Sequence, residues 1–403
     1  MKNKKTRIMR ISVQAAISIF LLLILILYNL YTSELIDFKL LSVGDLNPYG
    51  GWNSLKESVT DSSYEFEGIS RSMALTIAIL VAAIVGGRFF CGWICPVGAM
   101  QDLSSWIGNK AGIPRYKGVG KKLFFNPLYI KYPILLAVLM LSILGYGAYL
   151  AELSPWRALL NIPKLVSAYK EMWIGFLVMV AIIICALIVP RFFCKFLCPL
   201  GAAQTLLSSF SILTLKHNKG CGGCNKCLET CPVSIKISKD DENISPECIR
   251  CMDCIDNCRI TTDISLGLKM GKRKISPKAY AAMTMLLFFV VWLGMPKLWG
   301  GSTMVSGIAL NNLKDGVYQG EAKGFAARII TEVRIEGGKI ADIKVIDHHE
   351  SKGWYEEVFM ILPKEIIRKQ RIEADVISGA TKTSKGFIKS VESAVRKAVD
   401  TEI

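Results

Sequence analysis

Apolar residues dominate five stretches of the chain, at 11–30, 72–90, 134–151, 173–190 and 279–295. Each is about long enough to cross a hydrocarbon core of about 30 Å, so the pattern predicts an α-helical membrane protein with about five transmembrane helices. After residue 304 the pattern changes. Apolar and polar positions alternate through Ile329, Thr331, Val333 and Ile335 to Gly337-Gly338 and resume at Ile340, Ile343 and Val345, which reads as a hairpin turned at the glycine pair. Helical spacing follows from about 355 to 370, and again after Ser384 through Phe387, Val391, Ala394, Val395 and Ala398. A small α+β domain is expected there.

Charge orients the spans. Lys2, Lys4, Lys5, Arg7 and Arg10 precede the first, and no small-x-small cleavage site follows it, so it reads as a retained anchor that starts inside. The segment 32–70 is rich in Asp and Glu and belongs outside; the segment 91–131, with Lys110, Arg115, Lys117, Lys121, Lys122 and Lys131, belongs inside. Continuing the count puts 191–278 in the cytoplasm, and the fifth span delivers the last hundred or so residues to the extracytoplasmic side. A multi-pass protein of the cell's cytoplasmic membrane is expected. The net charge of +16 then reflects the positive-inside rule, and nucleic acid is not an expected partner.

The second and fourth apolar stretches end alike. Arg88-Phe-Phe-Cys91-Gly-Trp-Ile-Cys95-Pro-Val-Gly-Ala-Met-Gln101 matches Arg191-Phe-Phe-Cys194-Lys-Phe-Leu-Cys198-Pro-Leu-Gly-Ala-Ala-Gln204, an internal repeat that predicts a duplicated helical pair. Both stretches run the same way, so the four thiols of Cys91, Cys95, Cys194 and Cys198 should share the cytoplasmic edge of the bilayer. Soft thiolates there could hold an additional iron–sulfur centre or zinc; a reversible dithiol pair or plain packing of helix ends are the alternatives.

Eight cysteines form two further runs of one spacing, Cys221-x-x-Cys224-x-x-Cys227-x-x-x-Cys231-Pro and Cys248-x-x-Cys251-x-x-Cys254-x-x-x-Cys258, with Arg259 where the second run would have proline. In such runs three thiolates wrap one cubane and the fourth ligates the other. Cys221, Cys224, Cys227 and Cys258 are therefore expected to hold one [4Fe-4S] cluster, and Cys248, Cys251, Cys254 and Cys231 the second, in a ferredoxin-like insert. Zinc more often takes two separated Cys-x-x-Cys pairs, and disulfides suit small secreted chains. No Cys-x-x-Cys-His occurs for covalent haem, and His217, His348 and His349 lie in no span.

Between the last two helical patterns stands Asp375-Val-Ile-Ser378-Gly379-Ala380-Thr381-Lys382-Thr383. Small residues let a phosphate approach the backbone, and the helix that follows offers unpaired N–H groups to it; an ordinary helix cap uses the same residues.

This motif, preceded by the Asp315-Gly-Val-Tyr-Gln-Gly320 opening and by His348-His349-Glu350-Ser351, resembles the FMN-binding domain of the flavin-bearing subunits of Rnf and sodium-pumping NADH:quinone oxidoreductase complexes. The resemblance implies FMN joined through its phosphate to Thr381 by a separate flavin transferase, with Asp375, Ser378, Gly379, Ala380, Thr383, His348 and Glu350 around it. Ser351-Lys352-Gly353 departs from the usual Thr-Pro-Gly of that family. Residues 70–265 resemble membrane iron–sulfur proteins of the NosR/NapH type, which serve nitrous-oxide respiration and quinol oxidation for periplasmic nitrate reduction. The two Cys-x-x-x-Cys-Pro motifs and the ferredoxin runs carry that likeness. Here the flavin domain follows the iron–sulfur module, whereas in the nitrous-oxide protein it precedes it.

The expected organisation is a transmembrane module at 1–215, a cytoplasmic 2[4Fe-4S] domain at 216–272, a fifth span with linker at 273–303 and an extracytoplasmic FMN-binding domain at 304–403. The expected function is transmembrane electron transfer between the cytoplasmic clusters, or a quinone pool, and FMN on Thr381, with soluble redox proteins or quinone as partners. A redox-sensing or maturation factor, or a structural module holding zinc, are the competing readings. The outer half of the bilayer has no recognisable carrier, and residues 152–172 read as an interfacial helix or an amphipathic connector.

Overall fold

The computed structural model describes residues 5–32, 35–36, 41–52, 69–114, 127–217, 226–235, 244–258, 264–268, 274–299, 313–325, 327–350, 355–372 and 380–399. Cys221, Cys224, Asp375, Ser378 and Gly379 lie outside these residues. The chain divides into two compact units. The first joins Met1–Ile26, Leu75–Tyr146 and Leu153–Gly294; the second joins Leu27–Ala74, Gly147–Glu152 and Met295–Ile403.

Helices α1 (Lys5–Thr32), α2 (Arg71–Gly86), α3 (Phe89–Trp93), α4 (Pro96–Lys110), α5 (Lys131–Ile143), α6 (Gly147–Glu152), α7 (Pro155–Leu160), α8 (Leu165–Ile188), α9 (Phe192–Phe196) and α10 (Pro199–Ser208) come first. Strand β1 (Leu213–His217), helices α11 (Lys226–Thr230) and α12 (Asp253–Asn257), strand β2 (Ile264–Leu268) and helix α13 (Pro277–Trp299) follow. All five apolar stretches are helical, but among the described residues two qualify by length and composition as membrane spans, Thr6–Tyr31 and Pro277–Leu298. Arg71–Gly86, Pro127–Ile143 and Trp173–Ile188 are shorter apolar segments. Two of the five expected spans are interrupted for a local reason. The stretch 134–151 breaks where Gly145 takes φ +92°, and 72–90 is helical only to Gly86 because Gly87 takes φ +72°. Both values lie in the left-handed region that glycine occupies without steric cost.

The repeat is visible in the backbone. After each apolar helix one left-handed residue, Gly87 or Arg191, turns the chain into a one-turn helix that carries the first cysteine. The second cysteine, Cys95 or Cys198, is extended and sits as N-cap, with proline at the first helical position, where no N–H is needed. Cys198 Sγ accepts the N–H of Gly201 at 3.2 Å. Strands β1 and β2 pair antiparallel from Leu213↔Leu268 to His217↔Ile264, closing the base of the ferredoxin-like segment.

In the second unit β3 (Gly316–Lys323), β4 (Arg328–Glu336) and β5 (Lys339–His348) form an antiparallel sheet in that order, packed against α14 (Tyr355–Lys369) and α15 (Thr381–Val399). The hairpin between β4 and β5 turns at Gly337-Gly338, both at positive φ, as the alternation predicts. Ile329, Val333, Ile335, Ile340 and Ile343 of the sheet meet Val358, Leu362 and Ile366 of α14 and Phe387, Val391 and Val395 of α15 in one core. Full burial of each such side chain stabilises by about 1.5–3 kcal/mol. Gly320 and Gly386 bring β3 and α15 together: a Cβ on Gly320 would lie 2.0 Å from the Ser390 carbonyl oxygen, and one on Gly386 2.7 Å from Gly324 Cα.

Candidate electron-transfer centres

The four cysteines of the repeat are all buried, Cys91 at 4%, Cys95 at 7%, Cys194 at 3% and Cys198 at 9% exposure. Each copy is tied to the other by a swapped set of contacts. The Arg88 guanidinium donates to the Cys194 carbonyl at 3.1 Å, and its counterpart Arg191 donates to the Cys91 carbonyl. Gln101 Nε2 lies 3.3 Å from Cys194 Sγ, and Cys91 Sγ lies 3.5 Å from Oε1 of Gln204. Gly98 and Gly201 make room, since a Cβ on either would press on the guanidinium of the opposite copy. Burial pushes the Cys95, Cys194 and Cys198 thiols up, and cysteines of the opposite copy act in the same direction, which places the four sulfurs within electrostatic reach of one another. Among the described residues no three ligands converge as they would on a single metal ion. A cubane, with each thiolate on its own iron, asks for sulfurs standing further apart than one zinc does.

Two carboxylates anchor the arginines. Asp102 takes Arg191 at 2.6 Å and Arg10 at 3.1 Å, and Glu247 takes Arg88 at 2.9 Å together with Lys131. Burial acts to raise the Asp102 carboxyl, but Arg191, with Arg10 behind it, outweighs burial and holds it below the usual carboxylate range. Glu247 immediately precedes Cys248, so the anchor of the first copy is also the shoulder of the second ferredoxin run.

That run docks on the repeat. Trp93 Nε1 donates to the Arg250 carbonyl at 2.9 Å, and a Cβ on Gly92 would stand 2.1 Å from the Ile249 carbonyl oxygen. The residue beside Cys91 thus touches the loop between Cys248 and Cys251. Cys227, Cys231, Cys248, Cys251 and Cys254 line one small cavity walled by Leu215, Val233, Ile235, Ile244, Ile249 and Met252. It gathers the four cysteines of one expected group with one cysteine of the other. Arg250 and Met252 adopt φ +56° and +63°, a left-handed backbone that costs of order 1–3 kcal/mol per residue and persists where surroundings enforce it. Burial pushes the Cys231 thiol up to about 11 and raises Cys251 and Cys254 well up too. An apolar wall lined with thiols fits a cubane better than a solvated ion. Of the other expected group, Cys227 and Cys258 are described and half-buried.

Cys231 also borders a larger cavity of about 730 Å³. Its lining includes the polar Arg10, Gln14, Asp102, Asp253 and Asn257 and the apolar Leu21, Leu22, Leu25, Met100, Leu103 and Trp106.

In the second unit, Thr381 is the first residue of α15, so the free N–H groups of a helix start surround it. Buried Ala380 precedes it, and buried Thr383 donates its hydroxyl to the buried Glu350 carboxylate. Gly324 keeps that carboxylate in place, since a Cβ there would lie 2.3 Å from Glu350 Oε1. His348 packs tilted against Tyr355 and edge-on against Phe359 with ring centres 4.3 and 4.8 Å away, and its buried Nδ1 has no partner among the described residues. An unpartnered imidazole nitrogen, an aromatic wall and a helix N-terminus in one domain suit a ring-bearing phosphate.

The comparisons agree with this geometry. A 4Fe-4S binding domain family matches residues 71–114 and 171–215, the two halves of the repeat, and an FMN-binding domain family matches 324–396. YccM of Escherichia coli K12, whose name gives it a provisional electron transport role, is 26% identical over 62% of this chain and 69% of its own length. The ferredoxin-type protein NapH of Haemophilus influenzae is 28% identical over 45% of this chain and 63% of its own. The regulatory protein NosR of Pseudomonas aeruginosa is 29% identical over 51% of this chain and 30% of its own. The chain is similar to NosR- and NapH-type iron–sulfur proteins and carries an FMN-binding domain. It spans less than two thirds of this NapH and under a third of this NosR. Each half matched by the 4Fe-4S family contains one Cys-x-x-x-Cys-Pro motif and none of the eight ferredoxin cysteines.

The iron–sulfur module also uses residues that carry no site signal in the sequence. Asp102 and Glu247 are single charges, and Lys131 counts there only toward sidedness. The pairing of Arg88 with Cys194 and of Arg191 with Cys91 was hidden because a repeat reveals equivalence and not which copy is the partner. The Tyr355 and Phe359 wall has a signal, two aromatics at i and i+4 just after the His348 strand.

Proposed function

We propose that this protein moves electrons across the cytoplasmic membrane, between iron–sulfur clusters at its inner edge and FMN held covalently on Thr381 outside. The observation that carries the proposal is the contact of Gly92, beside Cys91, with Ile249, inside the second ferredoxin run, which sets two sulfur sites against each other. The clusters and the flavin supply redox chemistry when bound; the chain supplies position and charge. Cys248, Cys251, Cys254 and Cys231 hold one cluster, Cys221, Cys224, Cys227 and Cys258 another, and Cys91, Cys95, Cys194 and Cys198 a third, fixed by Arg88 and Arg191. Thr383, hydrogen-bonded to Glu350, holds the first turn of α15, at whose start Thr381 stands. A quinone is the partner that suits the larger cavity, whose lining joins polar groups and Cys231 to apolar side chains that would take an isoprenoid tail.

Purified protein co-produced with a flavin transferase tests the proposal. We expect about twelve irons and one covalent FMN per chain; zinc in place of iron, or no flavin, would contradict it.

A further inference from the structure

Six basic side chains are buried in the first unit: Arg10, Arg88, Lys131, Arg191, Lys195 and Arg250. Four have carboxylates. Arg10 meets Asp102 and Asp253, Arg191 meets Asp102, and Arg88 and Lys131 meet Glu247. Lys195 and Arg250, each 1% exposed, meet none among the described residues. Lys195 Nζ donates to Ser234 Oγ at 2.9 Å. Arg250 Nη2 reaches Ser211 Oγ and the Leu213 carbonyl at 3.3 Å and Thr214 Oγ1 at 3.4 Å, while its Nε and Nη1 find no acceptor. An uncompensated buried charge costs several kcal/mol, so a fold that keeps two of them close to one site requires an anion there.

Both stand beside cysteines of one expected group. Arg250 lies between Cys248 and Cys251, and its backbone N–H is 3.4 Å from Cys248 Sγ. Ser234, which accepts from Lys195 Nζ, stands three residues beyond Cys231 and lines the larger cavity with it. The duplication sharpens the point: the residue after the first cysteine is Gly92 in one copy, where it admits Ile249, and Lys195 in the other, where it adds a cation.

We infer that Lys195 and Arg250 are the counter-cations of the iron–sulfur cluster held by Cys231, Cys248, Cys251 and Cys254, and that their charge raises its reduction potential. The inference rests on the cluster assignment above. Four thiolates make an oxidised cubane a dianion, and the electron it accepts from the cytoplasmic donor makes it a trianion. Fixed positive charge favours the second state over the first. The electron is thereby drawn to the cluster whose loop touches the Cys91 repeat.

The test is an EPR-monitored redox titration of the full-length protein and of Lys195→Met, Arg250→Gln and the double variant, after iron and labile sulfide per chain have been measured in each. Wild-type protein without iron would remove the cluster assignment itself. With iron present, each neutral variant is expected to disfavour reduction of one signal at least tenfold, about 59 mV for one electron, with a larger shift in the double variant. Lys195→Arg and Arg250→Lys should stay near the wild-type value. An unmoved signal in the double variant would overturn the inference. If the neutral variants lose that cluster, retention of it by the charge-keeping pair supports the inference, and loss there too overturns it, because shape and not charge would then be the requirement.

Discussion

At the scale of single residues the chemistry rests on sulfur and one hydroxyl. Thr381→Ala should abolish covalent flavin, read as in-gel fluorescence, while leaving the iron content unchanged; retained fluorescence would move the attachment elsewhere. Cys248→Ala should remove one low-potential EPR signal and leave the other, since runs of this spacing cross-ligate. The cysteines were legible from the sequence because ligation imposes a spacing that little else does. Their partners were not. Arg88, Arg191, Gln101 and Gln204 could be read as equivalent pairs, but the exchange across the repeat is a property of packing, as is the Thr383 to Glu350 hydrogen bond. The spacing pattern places the last helix after Ser384, and the structure begins α15 three residues earlier, at Thr381.

At the scale of elements, the two repeats and the second ferredoxin run lock together through a few points. Gly92→Ala would put a methyl into the Ile249 carbonyl, a backbone atom that cannot swing aside. We expect destabilisation of about 1–3 kcal/mol and slower flavin reduction with iron retained. Asp102→Asn would leave Arg191, fully buried, without its carboxylate. Because Asp102 is itself partly exposed, a loss near the lower end of the 3–5 kcal/mol range is expected, about 3 kcal/mol, measured by thermal unfolding in detergent. Periodicity located all five apolar helices, and it overestimated two of them. Hydropathy averages across Gly87 and Gly145, whose left-handed backbones end helices that an apolar tally would continue. The sheet and both helices of the flavin domain were legible because alternation and helical spacing switch sharply there, at the Gly337-Gly338 turn and after His348.

At the scale of the whole molecule, function depends on sidedness. Among the described residues two helices are long and apolar enough to cross a membrane, one at each end of the iron–sulfur module in sequence. The charge pattern predicts the eight ferredoxin cysteines inside and the flavin domain outside, and the sequence contains no cysteine after Cys258. A single cysteine introduced in the flavin domain therefore reports on that domain without interference from a native one. Lys344, exposed on β5, is a suitable position. Labelling of Lys344→Cys in intact cells by a membrane-impermeant maleimide, with the reacted residue located by peptide mapping, tests the transmembrane route most directly. Modification before permeabilisation is the expected result. Modification only after the cells are opened would put flavin and clusters on one side and contradict electron transfer across the membrane.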